Sequence, residues 1–230
     1  MKRFLRIGIH VDETDANGRT ALHIAACEGQ VEAVRLLLGH GASPSIRDNY
    51  HNTPLNDAVR HCHDEIAGML REQQQVLTYP GKKPGFLMCK FAAEGNKEQL
   101  RRLIVNGIEV NESNYDHRTA LHLAASEGHV DVVEYLLERK ADANIRDRTG
   151  GTPLSDALRH KHERIQEILR GSGGQLKGID IATELCSAAA EGDVAKLKAL
   201  IVNGANPESA DANNRTALHL AASNGEVTVL

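Results

Sequence analysis

Twelve histidines and four cysteines are the residues of this sequence best suited to chemistry. His61, Cys62 and His63 stand side by side and offer three metal-ligating atoms. A structural zinc site needs four ligands converging on one ion, and adjacent residues rarely converge. No second Cys/His pair lies at zinc-finger spacing. His160 and His162 repeat the pattern around Lys161, so these histidines follow a sequence repeat rather than a ligand set. His23, His122 and His219 each close a Thr-Ala-Leu-His run and could be read as catalytic or metal-binding. They share one repeat position, far apart along the chain, which favours a structural role. Cys89 and Cys186 stand where those histidines stand in neighbouring stretches and read as buried small side chains. A nucleophilic cysteine needs an adjacent base and oxyanion donors, and neither is visible. The Gly171-Ser-Gly-Gly174 run lacks the flanking strand and helix of a phosphate loop. Asp64-Glu65 and the pair Glu127 with Asp131 read as solvated helix faces. No catalytic, cofactor-binding or metal-binding residue is assigned.

The elements that position these side chains recur. Thr119 to Gly128 reads TALHLAASEG, with near copies from Thr20 and Thr216. Thr53 and Thr152 open TPLNDA and TPLSDA, while the stretches from Phe86 and Thr183 are degenerate versions ending Ala-Ala-Glu-Gly. The seven starts fall at 20, 53, 86, 119, 152, 183 and 216, in steps of 33 residues with one of 31. A fixed period of this size marks a stacked helical repeat. The pattern at this period resembles the ankyrin repeat over essentially all 230 residues. That resemblance implies an all-α solenoid of helix-turn-helix units with short β-turn fingers. It also implies that His23, His122 and His219 hydrogen-bond the neighbouring turn.

Within one repeat, Thr119 is expected to cap a first helix whose buried side holds Leu121, Leu123, Ala124 and Ala125. Gly128 should end it in the left-handed conformation. A second helix follows, with Val130, Val133, Leu136 and Leu137 at helical spacing. In the TPLxDA repeats Pro54 and Pro153 suit the first helical position. Cys62 and Lys161 replace the glycine, so that turn is either strained or differently shaped. After these repeats the usual glycine-alanine crossing is lost. The connections 71–85 and 171–182 are expected to be the loosest and most protease-sensitive.

Three repeats form a larger unit of 97 to 99 residues: degenerate, then TALH, then TPLxDA. Over residues 114–128 and 147–157 it resembles the cytoplasmic ankyrin tails of plant outward-rectifying potassium channels. It is similar also to those of animal glutaminases and of large asparaginase–lysophospholipase enzymes. Residues 3–12 match the tail of an earlier repeat, with Phe4 and Leu5 in the places of Leu103 and Ile104. The chain after Gly225 matches only the start of a second helix. A piece of a longer protein is therefore expected, since array ends are normally closed by polar capping repeats. The divergence among the repeats speaks against a designed consensus array.

Composition narrows the function classes. Aromatic residues make up 3% and tryptophan is absent, as suits a core of alanine and leucine at close helix contacts. Net charge is −4 with 25% charged residues, so no basic stripe for nucleic acid is available. No apolar run approaches the roughly 20 residues of a membrane span, and no signal peptide is visible. Unpaired cysteine spacing suits reduced thiols and a cytoplasmic setting.

What remains is surface. Ankyrin arrays, as the resemblance implies, meet protein partners with turn tips and the first-helix face. The tips precede each Thr, at Ala16-Asn17, Asn49-Tyr50, Tyr115-Asp116, Arg148-Thr149 and Ala212-Asn213. Tyr50 and Tyr115 stand out, since tyrosine is enriched in binding hot spots. The first-helix face adds Glu28, Arg60, Glu94, Glu127, Arg159 and Glu191. The expected function is non-catalytic protein–protein recognition, with the partner and the oligomeric state left open. The alternative is a gating or assembly tail of a potassium channel, or a regulatory tail of an amidohydrolase. An enzyme within these residues is disfavoured by the missing site.

Overall fold

The computed structural model describes residues 10–75, 77, 84–177 and 180–226. The expectations for residues 3–9 and for the chain after Glu226 lie outside them. Thirteen helices are found among the described residues, and strand pairing there is limited to single bridges. The described residues form two compact units. One holds those up to Met88 together with Glu98–Glu112; the other holds Cys89–Lys97 and those from Ser113 onward.

In the first unit, α1 (Ala21–Cys27) and α2 (Val31–Gly39) form one hairpin, and α3 (Pro54–Arg60) and α4 (Asp64–Glu72) the next. First helix packs on first helix and second on second. Leu22, Leu55, Ile66 and Leu70 are fully buried between them. Helix α5 (Pro84–Ala93) and helix α6 (Lys97–Val105) contribute residues to both units. Arg101 and Arg102 of α6 each reach Asp64 of α4 at 2.9 Å.

In the second unit, α7 (Ala120–Glu127) and α8 (Val130–Glu138) pack on α9 (Pro153–Arg159) and α10 (Glu163–Gly171) in the same register. Helix α11 (Ile181–Ala190) packs on α12 (Val194–Val202) and α13 (Ala217–Asn224). Leu121, Leu136, Leu154, Ile165 and Leu185 fill this core.

The caps follow the sequence. Thr20, Thr53, Thr119, Thr152 and Thr216 are N-caps in extended conformation, and the residue three places on closes each box. Single antiparallel bridges, Thr14 to Thr20, Ser113 to Thr119 and Ala210 to Thr216, pin three of the fingers. Gly128 is left-handed at φ 84°, as expected. Cys62 and Lys161 adopt the same turn at φ 65° and 60° despite their side chains. The turn keeps its shape because the following helix must still pack on its neighbour.

The structure adds local detail to these expectations and corrects one, the buried stripe of the helices. Helices α5 and α11 begin at Pro84 and Ile181, ahead of residues 86 and 183. Asp180 caps α11, leaving Thr183 inside the first turn, its hydroxyl bound to Asp180 Oδ2 at 2.6 Å. The buried side of α8 is Val132, Val133, Tyr135 and Leu136; Val130 and Leu137 are only half-buried, as is Leu123 of α7. The stripe is rotated because Tyr135 packs inward. In the connections, the described residues make local contacts. Gln74 and Gly173 keep the left-handed turn, and Leu77 and Leu176 are buried. Thr152 Oγ1 donates to the Gln175 carbonyl at 2.7 Å. Residues 76, 78–83, 178 and 179 lie outside the description.

Candidate recognition surface

The fingers are built on an acidic or amide side chain at their base. Asp48 Oδ1 accepts from the backbone N–H groups of Tyr50 and Asn52 at 2.9 and 2.8 Å. This local turn competes well with regular structure and fixes the tip. It leaves the Tyr50 side chain 73% exposed. Asn114 does the same for the finger that carries Tyr115, which is 62% exposed.

Three other expected tip residues stitch fingers together. Asn49 donates its backbone N–H to the Asn17 carbonyl at 2.9 Å and its side-chain amide to the Ala16 carbonyl at 3.2 Å. Arg148 donates its N–H to the Asp116 carbonyl at 2.8 Å, its guanidinium to the Tyr115 carbonyl, and pairs with the Asp116 carboxylate at 3.3 Å. These groups hold adjacent fingers in register.

On the first-helix face, Glu28, Arg60, Glu94, Glu127, Arg159 and Glu191 are all exposed. In the first unit Arg60 and Tyr50 line one cavity of about 460 Å³, shared with Arg19, Asp48, Asn52 and Asp57. In the second unit Arg159 and Glu191 line a groove of about 630 Å³ with Lys161, Glu163, Gln166 and Lys196. Lys196 pairs there with Glu184 at 2.8 Å. Asp57 and Asp156, buried beneath these faces, were missed from sequence. The available signal was the acid in TPLxDA, where the TALH repeats carry Ile24 or Leu123. Burial raises the Asp57 carboxyl above its usual value.

The histidines and cysteines have definite jobs. His122 Nδ1 accepts from the Thr119 N–H at 3.1 Å, so the proton sits on Nε2, which donates to the Gly151 carbonyl at 3.2 Å. His23 makes the same pair of bonds to Thr20 and Asn52. Burial holds the His122 imidazole below its usual value. His219 keeps the bond to Thr216 and is exposed. Cys89 and Cys186 donate their thiols to the Arg118 and Arg215 carbonyls at 3.1 and 3.2 Å. His63 donates to the Cys27 carbonyl at 3.0 Å, and its ring lies 6.4 Å from that of His61. Among the described residues, no group of three or more His, Cys, Asp or Glu is arranged to hold a metal ion.

The profile described as ankyrin repeats (3 copies) matches residues 1–78 and 87–183, and one described as ankyrin repeats (many copies) matches 185–230. The chain belongs to the ankyrin-repeat family. This ankyrin-repeat chain is 36% identical to an L-asparaginase of Dirofilaria immitis over 162 residues, 70% of the chain and 27% of that protein. It is 36% identical to the potassium channel SKOR of Arabidopsis thaliana over 169 residues, 74% of the chain and 20% of the channel. It is also 36% identical to the mitochondrial liver isoform of glutaminase from Rattus norvegicus over 124 residues, 53% of the chain and 19% of that protein. The ankyrin array thus spans 19 to 27% of the length of these relatives. No helix of the described residues is long and apolar enough to cross a membrane.

Proposed function

We propose that this array is a non-catalytic recognition segment of a larger, cytosolic polypeptide, and that it binds a protein partner through its fingers and first-helix faces. The carrying observation is Tyr50, a largely exposed tyrosine beside a cavity it shares with Arg60. A rigid aromatic side chain next to a concave polar site gives contact area with little entropy lost on binding. Asn49 supports that surface in the first unit by fixing its finger; in the second unit Asp116 and Arg148 fix the finger of Tyr115, a further exposed anchor. Glu28 in the first unit, and Glu94, Glu127, Arg159 and Glu191 in the second, supply charge selectivity on the first-helix face of their own unit. The test is capture from lysate of the source cell on the immobilised chain, with the Tyr50→Ala/Tyr115→Ala variant alongside. Proteins retained by the wild type and lost on the variant support the reading. An identical retained set on both overturns it.

A second reading is favoured by the alignments. Most of this chain aligns with a minor part of an asparaginase and of a potassium channel. Such an array could tune the gating or assembly of an attached channel or amidohydrolase. The coding sequence on either side decides it. Pore-type membrane segments support the first, an amidohydrolase domain the second, and neither removes this reading.

A further inference from the structure

Asp57 and Asp156 occupy the same position in two TPLxDA repeats, and only one has a full partner. The Asp156 side chain, 2% exposed, takes the Arg118 guanidinium at 2.8 Å and that of Arg159 at 3.3 Å. The Asp57 side chain is 9% exposed, and its ion pair among the described residues is to Arg60 at 3.7 Å. That distance is beyond hydrogen bonding. Arg60 instead gives Nη2 to Asn52 Oδ1 at 3.0 Å. Asp57 is therefore a buried carboxylate facing a cavity, whose ion-pair partner Arg60 stands at 3.7 Å and gives its hydrogen bond to Asn52.

The cause lies at the base of the finger. Arg19 holds the repeat position of Arg118, but the finger beneath it starts with Asp15, where the other starts with Asn114. Asp15 Oδ2 accepts from Arg19 Nε and Nη2 at 3.0 and 2.9 Å, which occupies both prongs of the guanidinium. Neutral Asn114 makes no such claim, and Arg118 reaches Asp156. Asp211 and Arg215 repeat the Asp15 arrangement at 3.0 and 2.9 Å. An acid at the finger base captures the arginine in both cases.

The charge balance follows. Asp48, Asp57, Arg19, Arg60 and His61 line the first-unit cavity, and Asp15 lies behind Arg19; the three carboxylates outnumber the two guanidiniums by one. At the matching repeat positions of the second unit, two carboxylates, Asp147 and Asp156, stand against two guanidiniums, Arg118 and Arg159, both paired with Asp156. The two arginines that face the first-unit cavity are already bound, Arg19 to Asp15 and Arg60 to Asn52. The cavity of about 460 Å³ has room for one more long side chain. Tyr50 beside it offers a ring on which a planar cation can stack. A guanidinium suits the site better than an ammonium, because its planar fork reproduces the bond Arg118 makes to Asp156.

We propose that this cavity binds the guanidinium of an arginine side chain presented by a protein partner, in the place that Arg118 fills against Asp156. The inference rests on the recognition reading above and names the chemistry of the partner. Asp57 accepts the guanidinium, Tyr50 stacks on it, and Asp15 keeps the site open by holding Arg19 aside.

The probe is the peptide acetyl-Gly-Gly-Arg-Gly-Gly-amide, titrated by NMR into the isotope-labelled full chain. The same peptide with citrulline keeps the shape and loses the charge. Saturable shifts of the Tyr50, Asn52 and Arg60 amides are expected with the arginine peptide, and binding roughly tenfold or more weaker with citrulline. Asp57→Asn should weaken binding by a similar factor. Asp15→Asn, an exposed change that leaves Asp57 intact, should do the same by releasing Arg19 onto Asp57. Equal binding of the two peptides, unchanged affinity in either variant, or no saturable shift overturns the proposal. If the arginine peptide fails while a captured partner still depends on Tyr50, the guanidinium assignment falls and the recognition face stands. If the peptide binds while capture is indifferent to both tyrosines, the broader reading falls instead.

Discussion

The Cys89 thiol donates to the Arg118 carbonyl across 29 residues at 3.1 Å, the same link that His122 makes to the Gly151 carbonyl at 3.2 Å. A thiol and an imidazole thus serve one purpose, tying a first helix to the finger that precedes the next. Burial pushes the Cys89 thiol up to about 11, and it raises Cys186 too. Alkylation of the native chain at pH 8 should therefore modify exposed Cys62 first and half-buried Cys27 more slowly. Cys89 and Cys186 should react only on unfolding. Mass spectrometry of a timed iodoacetamide reaction checks this, and Cys89 labelling as fast as Cys62 contradicts it. Cys89→Ala should cost about 1–2 kcal/mol, since it leaves the Arg118 carbonyl without its donor.

The period, the caps and the helix-turn-helix order could all be read from the sequence, because Thr, Pro and Gly act locally. The rotated stripe of α8 could not, because the inward turn of Tyr135 depends on what the neighbouring repeat leaves open. Asp57 and Asp156 were invisible as a pair. Each reads as one more surface acid until the arginine of the finger is placed, and that placement turns on Asp15 against Asn114. The tips Asn49, Asp116 and Arg148 were legible as exposed, but not the bonds of Asn49 to the Ala16 and Asn17 carbonyls or the pairing of Arg148 with Asp116.

His122 gives the fold a pH dependence of definite sign. Its imidazole is held below the ordinary value of 6.5 by burial, and its Nδ1 must accept a proton donor from Thr119. The unfolded chain binds this proton more readily than the folded one. The stability is therefore complete above about pH 6.5 and is lost as pH falls through that value towards the folded pKa. His122→Asn keeps a cap acceptor of the kind Asn56 provides to Thr53 but cannot titrate. It should be less stable at pH 7 by about 1–2 kcal/mol. Urea midpoints at pH 7, 6 and 5 should then fall less steeply for the variant than for the wild type. Parallel curves would remove His122 as the source.

Gly128 is required twice over. Its φ is 84°, and a Cβ there would stand 2.7 Å from Cε1 of His162, whose Nε2 donates to the Ser126 carbonyl. Gly128→Ala should cost about 2–3 kcal/mol from backbone strain and a displaced imidazole. With His162→Ala already present the added cost should shrink to the strain alone, near 1–2 kcal/mol. At the matching turn, Lys161→Gly should stabilise by about 1 kcal/mol. A denaturation cycle reads all three, and strict additivity would mean that the ring and the glycine do not interact.

The two finger arginines should differ in their effect on stability. Arg118 is a quarter exposed and compensates a buried carboxylate, so Arg118→Ala should cost about 2 kcal/mol. Arg19 pairs with an exposed aspartate, and Arg19→Ala should leave the denaturation midpoint within error. Equal losses would show that the Arg118–Asp156 pair is no more than a surface contact.

The central claim is that the fingers and first-helix faces of each unit present a recognition surface. It is tested most directly by calorimetric titration of one captured partner into the wild-type chain and into Tyr50→Ala/Tyr115→Ala. Both proteins should show the same melting transition. Loss of two aromatic anchors should weaken binding roughly tenfold or more. Equal affinity for both proteins would contradict the account.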